Sequence, residues 1–199
     1  MKFSRKDPLK NILIMIALLA YPQTASAHFI GGQGFSDGLL HPFIGVDHVL
    51  AMVAVGVLAT QLGRQAIWKI PTSFVVFMIM GGATGIMEWE LWGTEFMIAL
   101  SVLFLGIMIA LAPKLSVNDA AIIVGLFALF HGYAHGTEMP FIANPVVYAI
   151  GFVIGTTTLH IAGVVLGYLI RKTSPTRGLI RLAGASMSVV GLLLVYGNF

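Results

Sequence analysis

At 199 residues, 58% of them hydrophobic and only 10% charged, the chain is too apolar for an ordinary water-soluble domain and has the composition of a small polytopic membrane protein. It contains no cysteine, which excludes disulfides, thiolate metal sites and iron–sulfur ligation and leaves imidazole, carboxylate, thioether and backbone as metal ligands. The net charge of +3 comes from Lys2, Arg5, Lys6 and Lys10 against Asp7, while residues 28–199 balance at seven basic and seven acidic, so the charge gives no sign of a nucleic-acid partner.

Residues 1–27 read as a secretory signal: a basic start, an apolar run from Ile12 to Tyr21, and Ala25-Ser26-Ala27 as an A-x-A cleavage site. The apolar run is shorter than the roughly 20 residues a membrane span needs, which argues against the alternative of an uncleaved anchor. Cleavage makes His28 the first residue of a domain covering 28–199. A free α-amine and an imidazole on one residue can chelate one metal ion; the alternative is a mobile tail whose leading histidine is incidental.

After the glycine-rich Gly31-Gly32-Gln33-Gly34, six apolar segments follow near 39–60, 68–87, 95–112, 119–137, 145–170 and 179–197. The predicted fold is an all-α membrane protein of six transmembrane helices after a cleavable signal peptide. Arg64, Lys69, Lys114, Arg171, Lys172, Arg177 and Arg181 fall in or beside the connections after segments one, three and five, and Glu88, Glu90, Glu95 and Glu138 in or beside those after two and four. The positive-inside rule makes the odd connections cytoplasmic and puts both mature termini in the periplasm of a bacterial inner membrane. The segments divide as three plus three of opposite orientation, compatible with an inverted repeat. Gly81/Gly85, Gly151/Gly155 and Gly163/Gly167 read as close helix packing.

Chemistry concentrates in two stretches. In His41 to Gly56 (HPFIGVDHVLAMVAVG), a continuous helix puts His41 and His48 on one face, with Asp47 about 100° round from His48 and a step of roughly 10 Å between the histidines. In Phe130 to Pro140 (FHGYAHGTEMP), His131 and His135 are one turn apart and Glu138 lies three residues beyond. With the predicted topology both stretches approach the outer side, His41 level with Glu138 and His48 level with His131, and His160 in segment five is a further station inward. Each residue also has a bland reading. His160 alone suits a helix–helix hydrogen bond, Asp47 a pair with His48, Glu138 an interfacial carboxylate in water and Met52 ordinary packing. Glu88, Glu90 and Glu95 read as a solvated outer loop. Four histidines and two carboxylates aligned in two apolar stretches, in a chain with six histidines, point instead to a functional site, because ionisable groups within a membrane span are costly.

At these residues the sequence resembles the HupE/UreJ family of bacterial nickel and cobalt permeases. The resemblance rests on His41-Pro42, Gly45, Asp47-His48, Met52 and Gly56, and on His131-Gly132-Tyr133-Ala134-His135-Gly136 with Glu138 and Pro140; with the signal and six spans it covers essentially the whole chain. It implies uptake of Ni²⁺ or Co²⁺, bound transiently by His41, Asp47, His48, His131, His135 and Glu138, without a resident prosthetic group. The H-x5-DH spacing differs by one residue from the H-x4-DH signature of a separate nickel/cobalt transporter family, whose mechanism is not carried over. The partners expected are a divalent cation and the lipid bilayer, and a homo-oligomer stays open. The absence of a G-x-x-x-x-G-K-[ST] loop removes ATP hydrolysis by that route, and no enzymatic activity is expected. The competing readings are a membrane-embedded zinc hydrolase, for which the H-E-x-x-H pairing is missing, and a b-type haem protein.

Overall fold

The computed structural model describes residues 34–141, 143–173 and 178–198, and among them every regular element is helical. The signal peptide and His28 lie outside the described residues. A short helix α1 (Phe35–Leu40) runs into a 3₁₀ turn (His41–Phe43), followed by α2 (Val46–Leu62), α3 (Ala66–Ile86), α4 (Thr94–Leu111), α5 (Val117–Thr137), α6 (Pro145–Thr173) and α7 (Gly178–Gly197). Helices α3 to α7 are each long and apolar enough to cross a membrane. Phe35–Phe43 and Val46–Leu62 are together apolar and long enough for a sixth crossing if they are one span, but their axes differ by 81°, the geometry of a broken span or a re-entrant loop.

That bend corrects the expectation of one continuous helix over 39–60. Pro42 has no N–H to continue an α-helical ladder, the chain tightens there into 3₁₀ geometry, and Gly45 is extended at φ −83°, ψ 126°. A Cβ at position 45 would lie 2.7 Å from Asp47 Oδ1 and 2.8 Å from His48 Nδ1, so only glycine lets the corner close this tightly over the next two residues. The seven-residue helical step from His41 to His48 therefore does not exist.

The helix ends are written locally. Gly63, at φ 108°, stops α2 in a conformation that side chains disfavour. Ser116 Oγ accepts from Asp119 N at 3.1 Å to start α5, and Asn144 Oδ1 accepts from Val146 N and Val147 N at 3.0 and 3.2 Å ahead of Pro145, the first residue of α6.

The helices pack chiefly in pairs, α2 on α6, α3 on α5 and α4 on α7, with α1 also lying on α6. The small-xxx-small pairs make these contacts close. A Cβ at Gly81 or Gly85 would meet the backbone of α5, one at Gly163 the backbone of α2, and one at Gly151 or Gly155 the backbone of α1. Met52, Val55, Ile70, Phe74, Met78, Val102, Leu105 and Val124 form the buried centre, whereas Val76, Ile79, Ile122, Leu126, Ile161, Val165 and Leu192 stand on the outside, as lipid-facing residues must. Trp89 and Trp92 are exposed in the connection after α3, where amphipathic rings suit a membrane–water boundary.

The two ends of the bundle differ in charge. At one end Arg171 donates to Thr60 O at the close of α2, Arg181 donates to Ala110 O and Leu111 O (3.0 and 3.1 Å) at the close of α4, and Lys69 Nζ donates to Asn118 Oδ1 at 3.3 Å. The two arginines complement the negative C-termini of α2 and α4. The opposite end holds the start of α2 and the end of α5, and with them His41, His48, His131 and His135.

Candidate metal site

The corner at Gly45 delivers His41 from the 3₁₀ turn and Asp47 and His48 from the first turn of α2; α5 delivers His131 and His135 from its last turns and Glu138 as its C-cap. His41 Nε2 and Glu138 Oε2 are 2.9 Å apart, and His135 Nδ1 is 3.9 Å from the same oxygen. One donor atom each from His41, His135 and Glu138 can be chosen so that all lie within 4.8 Å of one another. Two ligands on opposite sides of one ion at about 2.1 Å are about 4 Å apart, so the trio is nearly at coordinating distance as it stands.

Directly beside it, the His48 ring lies 4.3 Å from that of His135 and 4.8 Å from that of His131, centroid to centroid. His41 and His135 meet edge to face at 4.7 Å. His135 is thus shared by an outer group (His41, His135, Glu138) and an inner one (His48, His131, with Asp47 behind). The outer group reaches water through Glu138, whose side chain is 54% exposed against 17% for His41. The inner imidazoles are buried.

Hydrogen bonds assign some of the nitrogens. His48 Nδ1 and His48 N approach Asp47 Oδ1 at 2.9 and 2.8 Å; a carboxylate oxygen accepts from both, so Nδ1 carries the proton and Nε2 is a lone-pair donor. His48 Nε2, His131 Nδ1 and both ring nitrogens of His135 are buried without a hydrogen-bond partner among the described residues. Leaving buried polar atoms unpaired costs about 1–3 kcal/mol each, so four such nitrogens on three adjoining rings call for a partner. Imidazole nitrogen and carboxylate oxygen are donors suited to divalent first-row transition metals, and the C-terminal dipole of α5 adds negative potential where His135 and Glu138 sit.

His160 stands apart from this group. It is buried on α6 with its ring 5.0 Å from Phe74, and Phe74 is in turn 5.7 Å from His131. Among the described residues neither of its ring nitrogens has a hydrogen-bond partner, so the helix–helix hydrogen bond that would have explained it is not found there. Met52 is fully buried in the core, in keeping with packing. Asp47 does pair with His48, and Glu138 is both a half-exposed carboxylate and a partner of His41.

Several residues at the site had no signal in the sequence. Phe152 packs on His135 at 4.2 Å, Tyr148 lies 6.1 Å from His41, and Ser101 Oγ is 2.9 Å from His131 Nε2. Glu95 is not simply part of an outer loop: it occupies the first turn of α4, within electrostatic reach of Asp47, His48 and Glu138. A hydroxyl in the apolar run of segment three was the only hint of Ser101, and nothing in spacing marked the aromatic residues.

The HupE/UreJ family, described as "HupE / UreJ protein", matches residues 16–194. The chain is also 41% identical over 198 residues to Protein HupE of Rhizobium leguminosarum bv. viciae, an alignment covering 99% of this chain and 100% of that relative. No solved structure matches it. With the motif residues gathered at one end of a helical membrane bundle and the match running through all of its spans, the chain belongs to the HupE/UreJ family.

Proposed function

We propose that this protein is an uptake permease for Ni²⁺ or Co²⁺ in the bacterial inner membrane, with a pathway that opens to the periplasm between the start of α2 and the end of α5. The observation that carries the reading is the set of four buried, unpartnered ring nitrogens on His48, His131 and His135, lying next to the half-exposed His41–Glu138 pair. A hydrated cation exchanges waters for His41, His135 and Glu138, passes to His48 and His131 beside Asp47, and leaves past His160. Imidazole-rich sites of low net charge suit a permease, because a transported ion must be held strongly enough to enter and weakly enough to leave.

The basic end of the bundle, with Lys69, Arg171 and Arg181, faces the cytoplasm on this reading and the histidine end faces the periplasm, along with both mature termini. The membrane potential then favours inward movement of a divalent ion by about 4.6 kcal/mol per 100 mV, twice the single-charge value. The helix pairs also support a 3+3 inverted repeat. Exchanging spans one, two and three with four, five and six turns the pair of spans one and five into four and two, and maps the pair three and six onto itself, and these are the pairs observed.

The rivals fit less well. A haem held by two of these histidines needs a slot for its macrocycle, whereas the rings of His48, His131 and His135 touch one another. A zinc hydrolase of the H-E-x-x-H kind needs that pairing, which the sequence lacks. The test is uptake of radioactive nickel and cobalt by cells, with competing metals, in wild type and in His48→Ala and His131→Ala. Accumulation collapses in both variants on this reading; wild-type accumulation in both would remove it.

A further inference from the structure

We propose that Ser101 is a positioning residue for the cargo cation: it fixes His131 as the Nε2–H tautomer and so presents the Nδ1 lone pair to the pocket. The proposal deepens the transport reading and rests on it for the cation.

Ser101 lies on α4, a helix that contributes none of the predicted ligands, and its side chain is buried. Its Oγ is 2.6 Å from Ile98 O and 2.9 Å from His131 Nε2. A hydroxyl has a single proton and a carbonyl oxygen can only accept, so a contact of 2.6 Å to Ile98 O commits that proton to the backbone. Toward His131 the hydroxyl oxygen can then only accept. The ring proton must sit on Nε2, and the lone pair must sit on Nδ1, which is buried and has no hydrogen-bond partner. Bonding of serine to the carbonyl one turn back is common in apolar helices and accounts for the Ile98 contact by itself. It does not account for a second contact, from the same oxygen, to an imidazole thirty residues away.

The neighbouring histidine is set in the opposite sense. Asp47 holds the proton of His48 on Nδ1 and leaves Nε2 as the free donor, and the two rings lie 4.8 Å apart. An acid on one side and a hydroxyl on the other thus fix which nitrogen of each ring is available. Histidines that bind metal generally give their other N–H to such an acceptor, which sets the tautomer and aims the ring. Without Ser101, His131 is free to place its proton on Nδ1 and meet an arriving cation with N–H in place of a lone pair.

The decisive measurement is ¹⁵N–¹H correlation of the histidine rings in the full chain, purified in detergent without metal, with the His131 signals assigned by their loss in His131→Asn. Wild type shows His131 as the Nε2–H tautomer; the Nδ1–H form in wild type overturns the proposal whatever the variants do. In Ser101→Ala the tautomers mix, and the apparent dissociation constant for Co²⁺, read from its visible absorption, rises about 10–100-fold, the range seen when an outer partner of a ligand is lost. Ser101→Thr, which keeps the hydroxyl, restores both readouts, as a merely space-filling role would not. An Nε2–H tautomer together with unchanged Co²⁺ affinity in Ser101→Ala overturns the positioning role and leaves the transport reading intact. Co²⁺ binding that is indifferent to His48→Ala and His131→Ala overturns the transport reading itself.

Discussion

His41 Nε2 and Glu138 Oε2, 97 positions apart in sequence, meet at 2.9 Å and join the 3₁₀ turn before α2 to the C-cap of α5. Because Glu138 is half exposed, the pair is worth little as a structural clamp. Its value is as two preset donors beside His135. Glu138→Gln and His41→Ala each raise the KM for nickel uptake by about tenfold or more with a smaller change in maximal rate. Combined, they lose less than the sum, with a coupling of about 0.5–3 kcal/mol in a double-mutant cycle of initial rates. Strict additivity would mean that the two residues act on the ion separately.

Gly45→Ala tests the corner. The added methyl would meet Asp47 Oδ1 and His48 Nδ1, so it strikes the ligand pair before it strikes the core. We expect a stability loss of about 1–3 kcal/mol by thermal unfolding in detergent, and uptake reduced far below what that loss explains. An alanine variant with normal transport would show that the tight closure over Asp47 and His48 is not needed.

Acidification opposes metal binding by imidazole, because each ligand must be deprotonated to offer its lone pair. Uptake at limiting nickel therefore falls on acidification, as protons and the ion compete for the same lone pairs. Raising nickel restores the rate at low pH. A rate at limiting nickel that never falls on acidification, while the protein stays folded, would argue that the imidazoles do not bind the ion.

His160 lies beyond Phe74 from the main cluster, so its loss should slow passage rather than capture. In His160→Leu the maximal uptake rate drops about tenfold while KM stays close to wild type. The leucine is well suited to the apolar surroundings and removes two unpaired nitrogens, so the protein's stability is maintained or increased. A KM effect equal to that of Glu138→Gln would place His160 in the binding step.

The spans were legible because a membrane core demands long apolar runs, and the six segments read from the sequence fall within a few residues of the observed helices. The convergence of His41 with Glu138 and of His48 with His131 was legible too, since two antiparallel helices pair their ligands in reverse order. The route to it was not. Helical periodicity treats 39–60 as one rod, whereas Pro42 and Gly45 break it, and the corner brings His41 and His48 to the same ring of His135. Ser101, Phe74 and Phe152 were silent because a single serine or aromatic residue in an apolar helix looks like its neighbours until a partner helix is placed against it.

The part of the first span that runs through the bundle, Val46–Leu62, has 17 residues, a rise of about 25 Å, against roughly 30 Å of hydrocarbon. A segment this short falls about 5 Å below the hydrocarbon thickness, a mismatch that a bilayer meets by thinning around it. Reconstitution into lipids of graded acyl length turns that shortfall into a dial: thicker bilayers should slow cation flux, and thinner ones should quicken it.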